Sequence, residues 1–494
     1  MVSKVISKIS PSTIVVSETV IVSLMQFATF AVMLRLTNSE IVGLWLLINS
    51  ILAISRAADF WSNGVSSFVA QARGQEKLFR ASSLTVTAIL TASLGYAVLA
   101  IIGYIVIVNF SDQLIGLEYS ETVNSILPVM TLTFWMLGLN GAISLCFLGY
   151  ERPGIKAALS ISGNGMFLLL VSILASNFAL WGIILAQAIQ ATVMLVVSGF
   201  LSYVTLVRPD GGVFKKCLAI EMIKYGTKAL TLGLFQISFE PISRILVNAF
   251  GGLTAVTLFD LASRFMGVGR GIITSLGQIL VPRFASIVSS EPNIQSLLSY
   301  SQEKFLLLGG ISFSLTIAAS PLLSIIMLSE VNQIFLVMTV ALSFGWLTTI
   351  LVTPMYFLLI GKRILGPLII SNVTKTSGAL VLGWSGGVFF GLNGAVIGIS
   401  LALLISSVQL YLTTKPNVGK HITLDFQSVR VLLILIFSVI SCAIALYYSD
   451  LDKTRNVLIW VSFAPLLATI SLAVTIIPLK GVLETFSNSY GIKR

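Results

Sequence analysis

YGTKALTLGLFQISFEPISRILVNAFGGLTAVTLFDLASRFMGVGRGIITSLGQILVP (Tyr225–Pro282) reads as two apolar helices, each long enough to cross a bilayer, joined by a tight turn at Phe250-Gly251-Gly252. Five charges lie inside this hairpin: Glu240, Arg244, Asp260, Arg264 and Arg270. A charge near the bilayer centre costs about 2.5–3.5 kcal/mol on insertion scales, so five in one hairpin need a reason.

Their spacing supplies one. Glu240 and Arg244 are four residues apart and share a helix face, as do Asp260 and Arg264. In an antiparallel hairpin, residues equally far from the turn lie at equal depth. Residue 252 is midway between 240 and 264, and also midway between 244 and 260. Each acid is therefore expected to meet a base across the hairpin. Arg270 lies deeper, toward the middle of its span. Two roles stay open for these charges: a neutralised network that only fixes the hairpin, or the lining of a polar path.

The rest of the chain is of the same kind. Of its 494 residues, 56% are hydrophobic and 10% charged, which excludes a soluble domain of any size. The net charge of +11 reflects loop placement, and no basic run with interleaved aromatics points to nucleic acid. Cys146, Cys217 and Cys442 are far apart and His421 is the single histidine, so neither a disulfide framework nor a metal site is expected. The first apolar run has the length of a full span and is not the short core of a cleavable signal peptide.

About 20 apolar residues cross a bilayer as a helix. That ruler gives fourteen spans, near 12–34, 40–58, 82–108, 123–148, 155–175, 179–206, 226–249, 254–281, 304–328, 333–360, 364–385, 393–413, 429–448 and 457–478. With the N-terminus placed in the cytoplasm, 21 of the 30 bases fall at cytoplasmic ends and loops, and only Arg35, Lys453 and Arg455 fall on the other side. By the positive-inside rule both termini are then cytoplasmic. Six bases remain inside spans: Arg56, Lys228, Arg244, Arg264, Arg270 and Lys375.

The first twelve spans form two halves that match at an offset of 212–214. Phe147-Leu148-Gly149 with Gly154 corresponds to Leu359-Ile360-Gly361 with Gly366, and Leu180-Trp181-Gly182 to Leu392-Asn393-Gly394. The first hairpin turns near residue 37 and the later one near 252, and Arg56 maps onto Arg270. Glu18 and Arg56 lie at equal depth about that first turn. An even number of spans per repeat keeps both copies in one orientation, which implies a pseudo-two-fold axis along the membrane normal. The expected architecture is all-α: two six-helix lobes (1–210 and 211–415) facing each other across a cleft, followed by two further transmembrane helices (416–494).

Two stretches carry a family likeness: RLTNSEIVGLWLLINSILAISRAADFWSNGVSSFVAQARGQE (Arg35–Glu76) and FDLASRFMGVGRGIITSLGQILVPRF (Phe259–Phe284), together with the Leu-x-Gly openings of spans six and twelve. In these the chain resembles a Wzx-type polysaccharide flippase, of the superfamily that also holds the multidrug and toxic-compound extruders and the lipid II flippase. The resemblance implies a central cationic cavity between the two lobes, alternating access, and transfer of an undecaprenyl-pyrophosphate-linked oligosaccharide, such as an O-antigen repeat unit, across a bacterial inner membrane. It implies the lipid bilayer as a partner, polysaccharide assembly proteins as candidate partners, and no nucleic acid. The resemblance also implies that cavity arginines engage the pyrophosphate as in the lipid II flippase; Arg264 is the best positional match to that flippase's eighth-span arginine, and Arg56 is the nearest in the second span. The first-span arginines of the lipid II flippase have no counterpart, because this span carries Glu18.

The residues themselves support an anionic substrate. Arginine stays charged and grips phosphate bidentately. Arg264, Arg270, Arg56, Lys375 and Arg244 are the candidate substrate-binding residues. Lys375 sits mid-span in SNVTKTSGA (Ser371–Ala379), and its alternative is a lysine reaching for an interface. Glu18, Glu240 and Asp260 are the candidate sites for a coupling H+ or Na+; no other cofactor is expected. For Glu18 the alternative is a structural pair with Arg56. Two other functions compete. A cation or drug antiporter would want an acid-rich interior. A membrane glycan polymerase or ligase would want a long outer loop with an acid–base pair, and no such loop is present.

Overall fold

The computed structural model describes residues 11–53, 69, 72, 78–114, 117–150, 152–206, 213–278, 291–362, 364–418, 426–451, 467, 469 and 470. Arg56, Asp59, His421, the bases Arg73, Lys77, Arg283, Lys453 and Arg455, and nearly all of the expected fourteenth span lie outside them. Ten helices are described: α1 (Pro11–Leu36), α2 (Ser39–Leu52), α3 (Leu78–Leu114), α4 (Leu117–Gly149), α5 (Pro153–Thr205), α6 (Lys216–Gln278), α7 (Glu291–Leu328), α8 (Gln333–Gly361), α9 (Gly366–Val418) and α10 (Phe426–Leu451). The described residues contain no strand. In a bilayer only a helix satisfies all its backbone groups within one segment, so apolar runs of this length have no other stable form. Eight of the helices are long and apolar enough to span, and the shorter apolar stretches Ser39–Leu52 and Leu433–Ile444 add to them.

Three helices are too long for one crossing, and each reverses at one residue. The backbone leaves helical geometry at Ala179 (φ 46°) in α5, Gly252 (φ 72°) in α6 and Gly391 (φ 63°) in α9. Positive φ is free for glycine and strained for alanine. Along a straight helix, residues 16 apart would be separated by about 24 Å. Yet Arg244 is ion-paired with Asp260, and a Cβ placed on Gly398 would lie 2.1 Å from the Leu382 carbonyl oxygen. The arms therefore run antiparallel. Ten helices with three reversals make thirteen arms, in register with the first thirteen expected spans.

The repeat has a structural counterpart. Ala179 and Gly391 are separated by 212 positions, and both reverse their helices. Three residues later, Gly182 and Gly394 sit against carbonyl oxygens eight residues earlier, those of Leu174 and Gly386, at 2.2 and 2.1 Å from the built Cβ. Leu174 and Gly386 are themselves 212 apart. A second symmetric contact joins the start of α2 to α6 just past its turn. A Cβ on Gly43 would lie 2.1 Å from Leu253 O, and Thr257 Oγ1 donates to Ser39 O at 2.6 Å. With an offset of 214, residue 43 maps onto 257 and 39 onto 253, so each contact is the image of the other. That reciprocity is the signature of a two-fold relation.

By packing, the chain forms two compact units: Met1–Arg264 with Arg363–Leu410, and Phe265–Lys362 with Tyr411–Arg494. In the first unit, α1 packs on α5, and α3 and α5 pack on α4. Ala81, Leu84, Ala88, Leu139, Ile143, Phe147, Leu159 and Met194 interlock at the centre of that group. In the second unit, α7 packs on both α8 and α10. Helix ends are capped where the chain turns: Asn38 accepts from Ile41 N at 2.8 Å, and Asn332 from Phe335 N at 3.1 Å. Serine and threonine hydroxyls inside the spans return to carbonyls one turn earlier, as Thr29 does to Met25 O at 2.8 Å and Ser243 to Phe239 O at 2.8 Å. Their polarity is thereby satisfied without a neighbour.

Candidate functional site

The charged hairpin is α6. Its two arms bring Arg244 and Arg264 onto one carboxylate. Arg244 Nη2 donates to Asp260 Oδ1, and Arg264 Nε donates to Asp260 Oδ2. Asp260 is only 1% exposed; Arg244 is 14% and Arg264 27% exposed. Glu240 Oε2 lies 3.8 Å from Arg244 and is 59% exposed. Pro241 follows it inside the helix and removes one backbone donor there.

Of the two cross-hairpin pairs expected, Arg244–Asp260 forms. Arg264 does not reach across to Glu240 but turns along its own helix to Asp260, four residues back. The reason is burial. A sealed carboxylate gains most from a second donor, whereas Glu240 is exposed and has only the 3.8 Å contact with Arg244. Arg244 Nε is buried without a hydrogen-bond partner, so the cluster retains an unused donor beside its carboxylate.

Lys375, on the first arm of α9, belongs to the same unit. Its Nζ lies 5.3 Å from the centre of the Phe239 ring, next to Glu240. The neighbouring Thr376 Oγ1 donates to Phe235 O at 2.6 Å, one turn earlier on α6. Arg264 in turn lies over Phe30 of α1, its Cζ 5.3 Å from the ring centre. Within this cluster, Arg244 and Arg264 balance Glu240 and Asp260, and Lys375 adds a further base beside Phe239. Arg270 belongs to the second unit. Its Cζ lies 3.9 Å from the centre of the Trp346 ring of α8.

Glu18 has a partner on α5. Lys156 of α5 donates to Glu18 Oε1 at 2.8 Å and to Oε2 at 3.1 Å, and the carboxylate is buried. The expected partner Arg56 lies outside the described residues; Lys156, at the start of the fifth expected span, is the base that the structure places on Glu18. Depth follows from sequence, but the packing of α1 beside α5 does not. The two helices keep one parallel register, because Gln26 Nε2 meets Asn164 Oδ1 at 3.4 Å, eight residues further along each. A second polar group joins α2 to α5. Trp45 Nε1 donates to Gln187 Oε1 at 3.1 Å, and Gln187 Nε2 to Asn49 Oδ1 at 3.2 Å. Phe30, Phe239, Trp346 and Lys156 are the site neighbours that sequence reasoning missed. The description does not reach the Lys228 side chain. Among the described residues, no group of acids, histidines and cysteines has the arrangement of a metal site.

No family model and no curated protein matches the sequence. Solved structures do match. An inward-facing multidrug resistance MATE family transporter of the MOP superfamily superposes with a TM-score of 0.65 at 17% identity, over 82% of this chain and 98% of that one. The lipid II flippase MurJ, in an inward closed conformation, gives 0.64 at 14% identity, over 94% of this chain and 99% of that one. A mutant Vibrio cholerae MATE transporter gives 0.57 at 15% identity, over 82% and 98%. The chain has the fold shared by MATE transporters of the MOP superfamily and the lipid II flippase, a fold of membrane transporters.

Proposed function

We propose that the chain is a flippase that moves an undecaprenyl-pyrophosphate-linked oligosaccharide, such as an O-antigen repeat unit, from the cytoplasmic to the periplasmic leaflet of a bacterial inner membrane. The repeats 1–210 and 211–415 would be the alternating halves around a cationic cavity, with 416–494 appended. The observation that carries the reading is the α6 cluster with Lys375: bases placed at membrane depth, held in geometry, and in excess over acids. A diphosphate headgroup cannot cross hydrocarbon unaided, because each unsatisfied polar group costs several kcal/mol. Fixed guanidinium groups lower that barrier while the isoprenoid tail stays in lipid.

Arg264 is the leading contact, with Arg270, Arg56, Lys375 and Arg244 contributing. Coupling to H+ or Na+ would run through the acids. Glu240 is the exposed one of the three; Asp260 holds two arginines, and Glu18 holds Lys156. A cation or drug antiporter is the second reading, supported by the MATE superpositions. Against it stand the excess of bases and the longer match to MurJ, which extends over 94% of this chain.

Arg264→Ala and Arg264→Lys, scored by glycan at the cell surface with protein abundance controlled, test the reading. Loss of export in Ala with partial export in Lys supports it. Normal export in both removes Arg264 from the mechanism.

A further inference from the structure

Residues 213–220 end the connection from α5 and begin α6, and they are docked on the first repeat. Leu218 is buried in the same apolar cluster as Ala81, Leu84 and Leu206. The Lys215 backbone N–H donates to Thr87 Oγ1 of α3 at 3.2 Å. Just before, Tyr150 Oη donates to the Leu206 carbonyl oxygen at 3.0 Å. The outer side of the segment is bare: Val213, Phe214, Lys215, Lys216, Cys217 and Ile220 are all exposed.

The course of Lys215 shows what that side meets. Its backbone is pinned at Thr87, inside the third expected span (82–108). Its Nζ lies 4.9 Å from the centre of the Phe79 ring, before that span begins. Thr87 and Phe79 are about 12 Å apart along a helix axis. The side chain therefore runs from hydrocarbon depth toward the end of α3. A base does this when its stem lies against apolar medium and its charge seeks the polar layer. Phe79, Val213, Phe214 and Ile220 around it are apolar and exposed. Bases interleaved with bare apolar side chains suit neither water nor hydrocarbon, but they match the headgroup boundary. Between residues 208 and 224 the sequence sets four bases (Arg208, Lys215, Lys216 and Lys224) against two acids (Asp210 and Glu221).

We infer that residues 213–220, with Phe79, form a lipid-binding surface that takes an anionic phospholipid, its phosphate on Lys215 and Lys216 and its acyl chains against Val213 and Phe214. The surface lies within one compact unit, and the inference does not depend on what the chain transports. A lysine near an anionic headgroup layer favours it roughly fivefold, and the attraction is screened by salt.

Cys217 supplies the reporter. It is exposed, whereas Cys146 and Cys442 are buried, so a thiol-reactive bimane labels it in the full chain. The labelled protein is reconstituted into phosphatidylcholine vesicles. Quenching is then compared for phosphatidylglycerol and phosphatidylcholine that each carry a doxyl group high on one acyl chain. Phosphatidylglycerol is expected to quench at about one fifth of the mole fraction that phosphatidylcholine needs. Lys215→Gln with Lys216→Gln should abolish that preference, and Lys215→Arg with Lys216→Arg should keep it. Phe214→Ser should weaken quenching by both lipids alike. If the glutamine pair fails to fold, salt raised to about 1 M on the unsubstituted chain should remove the preference instead.

Equal quenching by the two lipids, or none by either, overturns the inference. So does a phosphatidylglycerol preference that survives the glutamine pair or the salt, because the lipid then sits elsewhere. Competition by glycerol 3-phosphate as effective as that by unlabelled phosphatidylglycerol would assign the lysines to a free phosphate. Displacement by equimolar undecaprenyl pyrophosphate where excess phosphatidylglycerol fails would give the surface to a diphosphate lipid. Either result overturns the assignment to an anionic phospholipid.

Discussion

Replacing Asp260 with asparagine removes the charge at the centre of the α6 cluster while keeping its shape. Each oxygen of the carboxylate accepts from a different arginine, and the group is 1% exposed. At about 4 Å and an effective dielectric of about 20, each charge pair is worth roughly 4 kcal/mol. Against this stands the desolvation of the carboxylate, several kcal/mol, which the amide no longer incurs. The amide also points a donor at one guanidinium. Arg264, 27% exposed, recovers part of its loss through solvent, whereas Arg244, 14% exposed with a buried partnerless Nε, recovers little. The net cost is expected to be about 3–5 kcal/mol, a large share of the stability of a typical domain. Unfolding of the purified protein in mixed micelles measures it. Adding Arg244→Gln to Asp260→Asn should restore part of the loss, with a coupling of about 1–3 kcal/mol. If Asp260→Asn lies within about 1 kcal/mol of the wild type, or if the two losses simply add, the carboxylate is not the keystone of the cluster.

Three further outcomes follow from the fold. Lys156→Met leaves the buried Glu18 carboxylate without its base and should destabilise the chain by about 3 kcal/mol; Glu18→Gln added to it should recover most of that in the same unfolding assay. Gly398→Val drives a side chain into the Leu382 carbonyl, 2.1 Å from the built Cβ. The α9 hairpin should then lose about 3 kcal/mol, read as reduced folded protein on size exclusion. Ala179→Gly relieves positive φ at the α5 reversal and should raise the melting temperature, whereas Ala179→Val should lower it, by about 1–3 kcal/mol in stability terms.

Much of the membrane architecture can be read from the chain, for a physical reason. Span length is fixed by bilayer thickness, and hairpin depth is fixed by distance from the turn. That is why Arg244 and Asp260 could be paired from their numbers alone. The reversal at 252 was marked by two glycines. The one at 179 was marked by the span ruler and by the Leu180-x-Gly182 opening that follows it, since Ala179 itself has no turn chemistry. What stays hidden is lateral. Nothing in the sequence puts α1 beside α5, so Lys156 could not be named as the partner of Glu18. Nor could Phe30, Phe239 and Trp346 be picked out from the 29 phenylalanines and 7 tryptophans of an apolar chain. Arg264 also shows that equal depth does not decide a pair when a more deeply buried acid competes for the same base.

Flipping in reconstituted vesicles tests the central claim most directly. The purified chain is placed in proteoliposomes loaded with undecaprenyl-pyrophosphate-linked oligosaccharide extracted from cells that lack the protein. Glycan accessibility on the far face is then followed with an impermeant glycosidase, with and without an imposed H+ or Na+ gradient. The account predicts protein-dependent transfer that is lost in Arg264→Ala and partly kept in Arg264→Lys. Transfer no faster than in protein-free vesicles, together with gradient-driven efflux of an organic cation, would contradict it and make the antiporter reading the better one.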